Sequence, residues 1–198
     1  MFKKLPLGLL LISPFSALAH PHAFIDMQTK PLVKDNQLIG FSTQWLLDEA
    51  SSSAVLYDVK QAKGDKAAQQ KLVDEVIANV VNEHYFSYVF DKENHKIKYT
   101  KHPENYGMRV KGNEVEYYFD FLLAQPQALQ NNEFTLMTYD RTYYVAMRYA
   151  ETGKRAVDFS SLPANCKGEV LEPNVDEKIQ SYASSLDKSQ KNEDDSLG

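Results

Sequence analysis

An alternating run near the middle of the chain sets the strongest limit on the fold. From 114 to 123 the sequence reads EVEYYFDFLL, in which apolar residues occupy every second position. An apolar period of two predicts a β-strand with one buried face and one solvated face. On that pattern Glu114 and Glu116 are expected to be solvated charges on the outer face. Aromatic residues make up 12% of the chain, which also favours strands.

Further strand-like segments lie on both sides of this one. The polar pair Asp35-Asn36 predicts a tight turn that joins the first two of them in a hairpin. About seven or eight antiparallel strands predict a mainly β protein, an antiparallel β-sandwich of Ig-like or CopC-like type. The other predicted strands cover 20–33, 38–47, 85–90, 96–100, 108–111, 134–139 and 143–149, and a last short strand is expected at 156–159.

One stretch, at about 49–83, has a different pattern and predicts a helical insertion between strands. Its second half repeats apolar residues at helical spacing, and Asp65 is placed to cap that helix. A shorter helix is expected over 52–61, ended by Lys63-Gly64. The apolar positions of the second helix are Leu72, Val73, Val76, Ile77, Val80 and Val81.

The first 19 residues have the three parts of a secretory signal. Lys3 and Lys4 precede a short apolar run, and Ala17-Leu18-Ala19 forms a small-x-small cleavage site. We therefore expect cleavage after Ala19 and export, most simply to a bacterial periplasm. The apolar run is shorter than the roughly 20 residues that span a bilayer, and no later segment is apolar enough, so no stable membrane insertion is expected.

The domain organisation follows from these patterns. Residues 1–19 are the predicted signal peptide, 20–171 the sandwich domain with its helical insertion, and 172–198 a polar C-terminal region. In that region we expect a surface helix near 175–186, followed by a disordered tail. The formal net charge of −5 argues against nucleic acid as a partner, because nucleic acid attracts a basic surface.

Cleavage after Ala19 would give the mature chain the amino terminus His20-Pro21-His22. A terminal histidine chelates a metal ion through its amine and its imidazole, and His22 adds a second imidazole. Pro21 has no amide proton, so the square-planar copper or nickel site that uses deprotonated backbone amides is blocked. Zinc suits the remaining ligands best, and copper or nickel is the alternative cofactor.

Carboxylates complete the predicted metal site. Asp48 and Asp140 are the preferred ligands because each follows a predicted strand, where the loops of a sandwich gather. Asp48 is equally well explained as a helix N-cap, and Asp140 as a turn residue. Asp26 and Glu49 come next, and Asp26 is expected to orient a histidine rather than bind metal itself.

The remaining reactive residues point away from catalysis. The chain has no G-x-S-x-G, H-E-x-x-H or Walker sequence, so we predict that it is not an enzyme. His84, His95 and His102 are scattered and are expected not to bind metal. The single cysteine, Cys166, cannot form an intrachain disulfide and is expected to be a small buried hydrophobic residue.

Three blocks of sequence resemble the ZevA-like periplasmic proteins. They are 20–26 (HPHAFID), 45–49 (WLLDE) and 139–146 (YDRTYYVA), and the resemblance covers about 20–190. Many relatives carry proline in place of Arg141 and an aromatic residue in place of Leu47. The resemblance implies a periplasmic component of a transport system that acts beside a nickel/cobalt-type inner-membrane permease. One branch of the family is linked to zinc uptake.

These observations lead to one favoured function and two alternatives. The favoured function is a periplasmic metal-binding accessory protein that captures a divalent cation, zinc above all, and delivers it to the permease. The first alternative is a copper oxidase or monooxygenase with an amino-terminal histidine brace, which would need a further imidazole from His84, His95 or His102. The second is an interaction module that binds no metal.

Overall fold

The first two strands form the predicted hairpin. The structure, a computed structural model, describes residues 23–142, 144–149 and 156–171. Strand β1 (Ala23–Lys34) pairs antiparallel with β2 (Gln37–Leu47), and Lys34 lies opposite Gln37. Asp35 and Asn36 have φ values of 51° and 57°, the left-handed conformation that a two-residue hairpin turn requires.

Two helices follow, as predicted for the insertion. Helix α1 (Glu49–Gln61) begins three residues before the predicted start, because Asp48 caps it. Helix α2 (Lys66–Asn82) is capped by Asp65, whose carboxylate accepts hydrogen bonds from the N–H groups of Ala67 and Ala68 at 2.8 and 3.2 Å. The apolar stripe of α2 faces the core, where Val73, Ile77 and Val80 are buried.

The later strands follow the prediction with shifted bounds. They are β3 (Ser87–Asp91), β4 (Lys96–Ile97), β5 (Glu104–Lys111), β6 (Glu114–Ala128), β7 (Phe134–Thr138) and β8 (Val145–Tyr149). The strands predicted at 85–90 and 96–100 are shorter than expected, while β5 extends into the predicted loop at 102–105. The segment predicted as a strand at 156–159 makes one bridge, between Val157 and Thr29, and then a 3-10 turn over Phe159–Ser161.

The strands form two sheets, and the larger one is mixed rather than purely antiparallel. Its order is β5-β6-β2-β1-β8, while the smaller sheet has the order β4-β3-β7. The final strand β8 pairs parallel with β1, so the prediction of antiparallel pairing throughout was wrong at this edge. The connection from β7 crosses from the small sheet to the edge of the large one, which lets β8 enter in the same direction as β1. The mainly β class with a helical insertion is confirmed.

The two sheets and α2 share one core. Alternate residues of β1, β2 and β6 point inward and are buried there, with Met27, Trp45 and Phe119 among them. Trp45 contacts Phe119 edge-on at a centroid distance of 4.9 Å, and Tyr85 stacks on Phe121 at 5.1 Å. Such aromatic pairs add to the free energy gained by burying their area.

Glu116 is an exception to the predicted outer face. It is 4% exposed rather than solvated, because Arg109 and Lys111 of the neighbouring strand both pair with its carboxylate. Glu116 lies opposite Arg109 in the β5–β6 register, and the Arg109 guanidinium also covers the Tyr118 ring at 4.0 Å. An alternating pattern predicts the face of the sheet on which a residue lies. It does not predict that long side chains of the next strand will cover that residue.

Three further predictions concern the C-terminal part of the chain and its relation to membranes. Cys166 is partly exposed, so its assignment as a small buried hydrophobic residue was wrong. The helix predicted near 175–186 and the tail after it lie outside the described residues. Neither helix within the described ranges has the length and apolar character that crossing a bilayer requires.

The hydroxyl of Ser52 joins the helical insertion to the large sheet. It accepts a hydrogen bond from the Val115 N–H at 2.9 Å and lies 3.2 Å from the Leu47 carbonyl oxygen, to which it donates. Ser52 is 0% exposed. We predict that Ser52→Ala lowers the free energy of unfolding by about 1–3 kcal/mol, because it leaves a buried N–H without a partner.

Urea denaturation of Ser52→Ala beside a control variant at the neighbouring position checks this prediction. Ser53 is exposed and its hydroxyl bonds within the helix to the Glu49 carbonyl at 2.8 Å, so Ser53→Ala should change stability by no more than about 0.5 kcal/mol. Equal effects of the two substitutions would contradict the role assigned to Ser52.

Candidate metal centre

The start of β1 is held by neighbouring strands on both of its sides. On one side Asp48, just after β2, donates its backbone N–H to the Phe24 carbonyl at 3.0 Å. On the other side Val145, the first residue of β8, is the parallel partner of Ala23. The first described residue of the chain therefore lies between the end of one strand and the beginning of another.

Asp48 links the start of β1 to the start of α1. Its carboxylate accepts hydrogen bonds from the Phe24 N–H at 2.6 Å, the Ser51 N–H at 2.7 Å and the Ser51 hydroxyl at 3.2 Å. Burial by itself raises the pKa of Asp48, but these hydrogen bonds outweigh it and hold the pKa below its ordinary value. The side chain is thus an ionised cap shared by a helix and a strand, which confirms its predicted N-cap role.

The Asp140 carboxylate holds the start of β8 by accepting hydrogen bonds from the backbone there. It is 6% exposed, and its carboxylate accepts hydrogen bonds from the Thr142 N–H at 2.8 Å and the Val145 N–H at 2.9 Å. The Thr142 hydroxyl lies 2.8 Å from both carboxylate oxygens. Asp140 is therefore the turn residue that the sequence allowed, and it fixes the point at which β8 begins.

The two preferred carboxylates reach the same end of the large sheet, as their positions after strands predicted. Each uses most of its roughly four acceptor positions on the protein itself. Their bonds run to Phe24 in β1 and to Val145 in β8, the register partner of Ala23, so both carboxylates lie at the start of β1. The predicted ligands His20 and His22 lie outside the described residues, so metal ligation by the four residues together stays a prediction.

The two secondary carboxylates have other surroundings. Asp26 pairs with Arg148, its register partner on β8, so an ion pair satisfies it. Glu49 is exposed and is the first residue of α1. An acidic residue in the first turn of a helix is favoured by the helix dipole.

The three described histidines lie in different parts of the fold. His84 opens a turn in which three consecutive residues, His84, Tyr85 and Phe86, have φ values of 53°, 59° and 50°. Left-handed backbone costs roughly 1–2 kcal/mol for each ordinary residue, and here it turns Tyr85 into the core at 2% exposed. This turn, which the sequence did not predict, replaces the expected start of the strand at 85.

His84 is brought to the Asp140 end of the small sheet. Its ring stacks on Tyr88 at 6.4 Å, and Tyr88 in turn contacts Tyr139 at 5.1 Å. His95 lies at the opposite end, after Asp91, which pairs with the first residue of β7. His102 lies just before β5, at the end of that strand that is farther from the β5–β6 turn.

One possible ligand cluster was not predicted. Asp91, Glu93 and His95 bring one oxygen or nitrogen each within 4.8 Å of one another, the only such group found among the described residues. The Asp91 carboxylate also accepts hydrogen bonds from the N–H groups of Glu93 and His95 at 3.0 and 2.8 Å. The D-x-E-x-H spacing was visible in the sequence, but the same contacts stabilise an ordinary polar turn between β3 and β4.

Comparison with known proteins places the chain in an uncharacterised family. The family described as "Protein of unknown function (DUF1007)" matches residues 5–198. An uncharacterised protein of Haemophilus influenzae is 63% identical over 195 residues, which is 98% of this chain and 92% of that relative. No solved structure matches, so the Ig-like or CopC-like subtype stays a prediction.

The shared cap predicts a difference between two helix N-caps. Asp48→Ala and Asp65→Ala should each destabilise the protein by about 0.5–2 kcal/mol through loss of a cap. Only Asp48→Ala also releases the Phe24 N–H, so only that variant should speed amide exchange at Phe24. Urea denaturation and hydrogen exchange followed by NMR measure the two effects, and equal exchange at Phe24 in both variants would argue against the shared cap.

The lowered pKa of Asp48 makes the stability lost in Asp48→Ala depend on pH. A carboxylate with a depressed folded-state pKa stabilises the fold above its unfolded pKa, and this contribution is lost as pH falls through the folded value. The stability gap between wild type and Asp48→Ala should therefore be constant near neutral pH and narrow as pH falls below 3.8. Urea denaturation across that range checks this; a gap that widens in acid would contradict the assignment.

Proposed function

The chain belongs to the DUF1007 family, and we propose that it is an exported metal-binding accessory protein that captures zinc at its mature amino terminus. The observation that carries the proposal is the two-sided attachment of β1. Asp48 bonds both the N–H and the carbonyl of Phe24, and Ala23 is paired with Val145. The segment His20-Pro21-His22 is joined directly to this fixed point.

Chain geometry limits where the ligands can lie. Three residues span at most about 10 Å when fully extended, so a terminus cleaved after Ala19 keeps its amine and both imidazoles near the sheet end. A tether that short lowers the entropy lost when the terminus closes around an ion. The anchored strand thus supports a terminal chelate better than a free tail would.

The donor set suits zinc. The amine, the His20 imidazole and the His22 imidazole supply three nitrogens, and zinc takes four ligands in a tetrahedron. Asp48 and Asp140 enter the proposal as carboxylates that fix the strand end and add negative charge beside it. One of them, or water, completes the set.

Location and partner extend the proposal beyond the site. The signal-like residues 1–19 support export to the periplasm with cleavage after Ala19. The resemblance of three sequence blocks to the ZevA-like proteins supports delivery of the ion to a nickel/cobalt-type inner-membrane permease. A site at the very end of the chain suits such a transfer, since an exposed ion can be passed on without unfolding.

The terminal amine provides the sharpest test. Protein recovered from a periplasm with His20 as its first residue should bind one zinc ion, measured by calorimetry and by metal analysis. We expect one added glycine before His20 to weaken zinc binding at least about tenfold, because it moves the amine out of the His20 chelate ring. His20→Ala and His22→Ala should do the same.

Matched variants keep this test specific. His95→Ala and His102→Ala remove imidazoles far from the start of β1 and should leave zinc affinity unchanged. A zinc affinity that the added glycine leaves unchanged would contradict the terminal chelate. Copper recovered in place of zinc would favour the histidine-brace oxidase, and no bound metal would favour the interaction module.

A further inference from the structure

Strand β5 forms one edge of the large sheet. One of its sides pairs with β6, and no strand within the described ranges pairs with the other side. An open edge presents backbone N–H and C=O groups to which a further strand can bond. Two large apolar side chains of β5, Tyr106 and Val110, are 38% and 50% exposed. This edge therefore combines available backbone groups with exposed apolar surface.

Both exposed side chains lie on the core side of the sheet. Val110 is the register partner of Val115, which is buried, and register partners lie on the same face. The Tyr106 hydroxyl donates a hydrogen bond to the Asp74 carboxylate of α2 at 3.1 Å, which places Tyr106 on that face as well. The apolar layer of the sheet thus continues to the edge and is exposed there.

The turn between β5 and β6 determines which backbone groups point to the open edge. Lys111 and Glu114 flank this two-residue turn, and residues in that position form a hydrogen-bonded pair. Because bonding alternates along a strand, Arg109 also bonds to β6, whereas Met108 and Val110 direct their N–H and C=O groups to the open edge.

A β-bulge limits the regular part of the strand. Between Glu104 and Gly107 the register shifts, because β5 has one more residue there than β6. Asn105, inside the bulge, has a φ of 46°. The turn that follows Lys111 ends the strand on the other side. The regular segment therefore covers 106–111, with Met108 near its middle.

We propose that β5 pairs antiparallel with β5 of a second copy of this chain, about a two-fold axis at Met108. A two-fold axis brings the same surface of both copies together, so each contact occurs twice. Groups that point outward must face each other, so the axis passes through a residue. An axis at Arg109 would oppose two guanidinium groups, and an axis at Gly107 would place the bulge residue Asn105 opposite Arg109.

The side chains of the regular segment match in this arrangement. Tyr106 of one copy lies opposite Val110 of the other on the core side, so the dimer covers two exposed apolar pairs. On the other side of the sheet Arg109 lies opposite Gly107, which has no side chain to oppose it.

Charges are complementary at each end of the pair. Lys111 of one copy lies opposite Asn105 of the other, next to the exposed Glu104. The Asn105 amide also donates a hydrogen bond to the Asp120 carboxylate at 3.3 Å. The antiparallel arrangement thus brings the basic end of one strand to the acidic end of the other. This favours a second copy over an unrelated strand.

The basic residues of β5 do not shield the edge. Charged side chains on an edge strand often prevent association. Here Arg109 and Lys111 both pair with Glu116 of β6, so their charged groups are directed toward their own sheet.

Sedimentation velocity of the full mature chain tests the dimer. A contact this short lies at the small end of known interface sizes, so we expect dimers to form at micromolar concentrations. Val110→Lys should raise the dissociation constant at least about tenfold, because each dimer buries two half-exposed valines. Val170→Lys makes the same change at a valine that is 44% exposed, outside β5, and should leave the dissociation constant unchanged.

Two results would overturn the proposal. One is a wild-type chain that remains monomeric at about 100 μM, a concentration well above a micromolar dissociation constant. The other is a dimer whose dissociation constant is the same in Val110→Lys and Val170→Lys.

Disulfide cross-linking tests the register. In a Cys166→Ser background, a mixture of Tyr106→Cys and Val110→Cys proteins should cross-link on mild oxidation, since such partners have Cα atoms about 5.5 Å apart. Either variant alone should not, because its two cysteines are four residues out of register, roughly 13 Å. Cross-linking within a single variant, or none in the mixture, would contradict the proposal.

Discussion

The carboxylate of Asp48 holds together the three elements that meet at the start of β1. It accepts a hydrogen bond from the Phe24 N–H of the strand and another from the Ser51 N–H of α1. The backbone N–H of the same residue closes the last hydrogen bond between β1 and β2. Because these bonds converge on one ionised group, the hairpin, the helical insertion and the candidate metal centre share a single point of attachment.

The parallel pairing of β1 with β8 gives that point its second support. The Asp140 carboxylate, 6% exposed, binds the Val145 N–H and so fixes where β8 begins. Two acidic turns from distant parts of the chain thus enclose the residues that follow His22. The sequence blocks WLLDE and YDRTYYVA contain these two turns. Asp48 and Asp140 can therefore stabilise these turns and also lie beside the candidate metal centre.

Local patterns in the sequence predicted most of the elements. Alternation identified β6, the Asp35-Asn36 turn indicated the β1–β2 hairpin, helical spacing identified α2, and Asp48 and Asp65 were recognisable as caps. These signals are local, because each depends on neighbours within one turn or one strand. The gathering of Asp48 and Asp140 at one end of the sheet followed from their positions after strands.

Features that depend on distant contacts were missed. The parallel entry of β8 depends on a connection between sheets that no local pattern encodes. Glu116 is buried because Arg109 and Lys111 reach across from β5. The left-handed turn at His84–Phe86 opposes the preference of each residue and exists because the core holds Tyr85. In each case tertiary packing outweighed the local preference.

The location of a bound ion tests the central claim most directly. Crystals of the mature protein beginning at His20, grown with zinc, would reveal the ion by its anomalous diffraction. The account predicts one strong peak beside Ala23, at the sheet end between the Asp48 and Asp140 turns. A peak confined to the cluster of Asp91, Glu93 and His95, with none near Ala23, would contradict it.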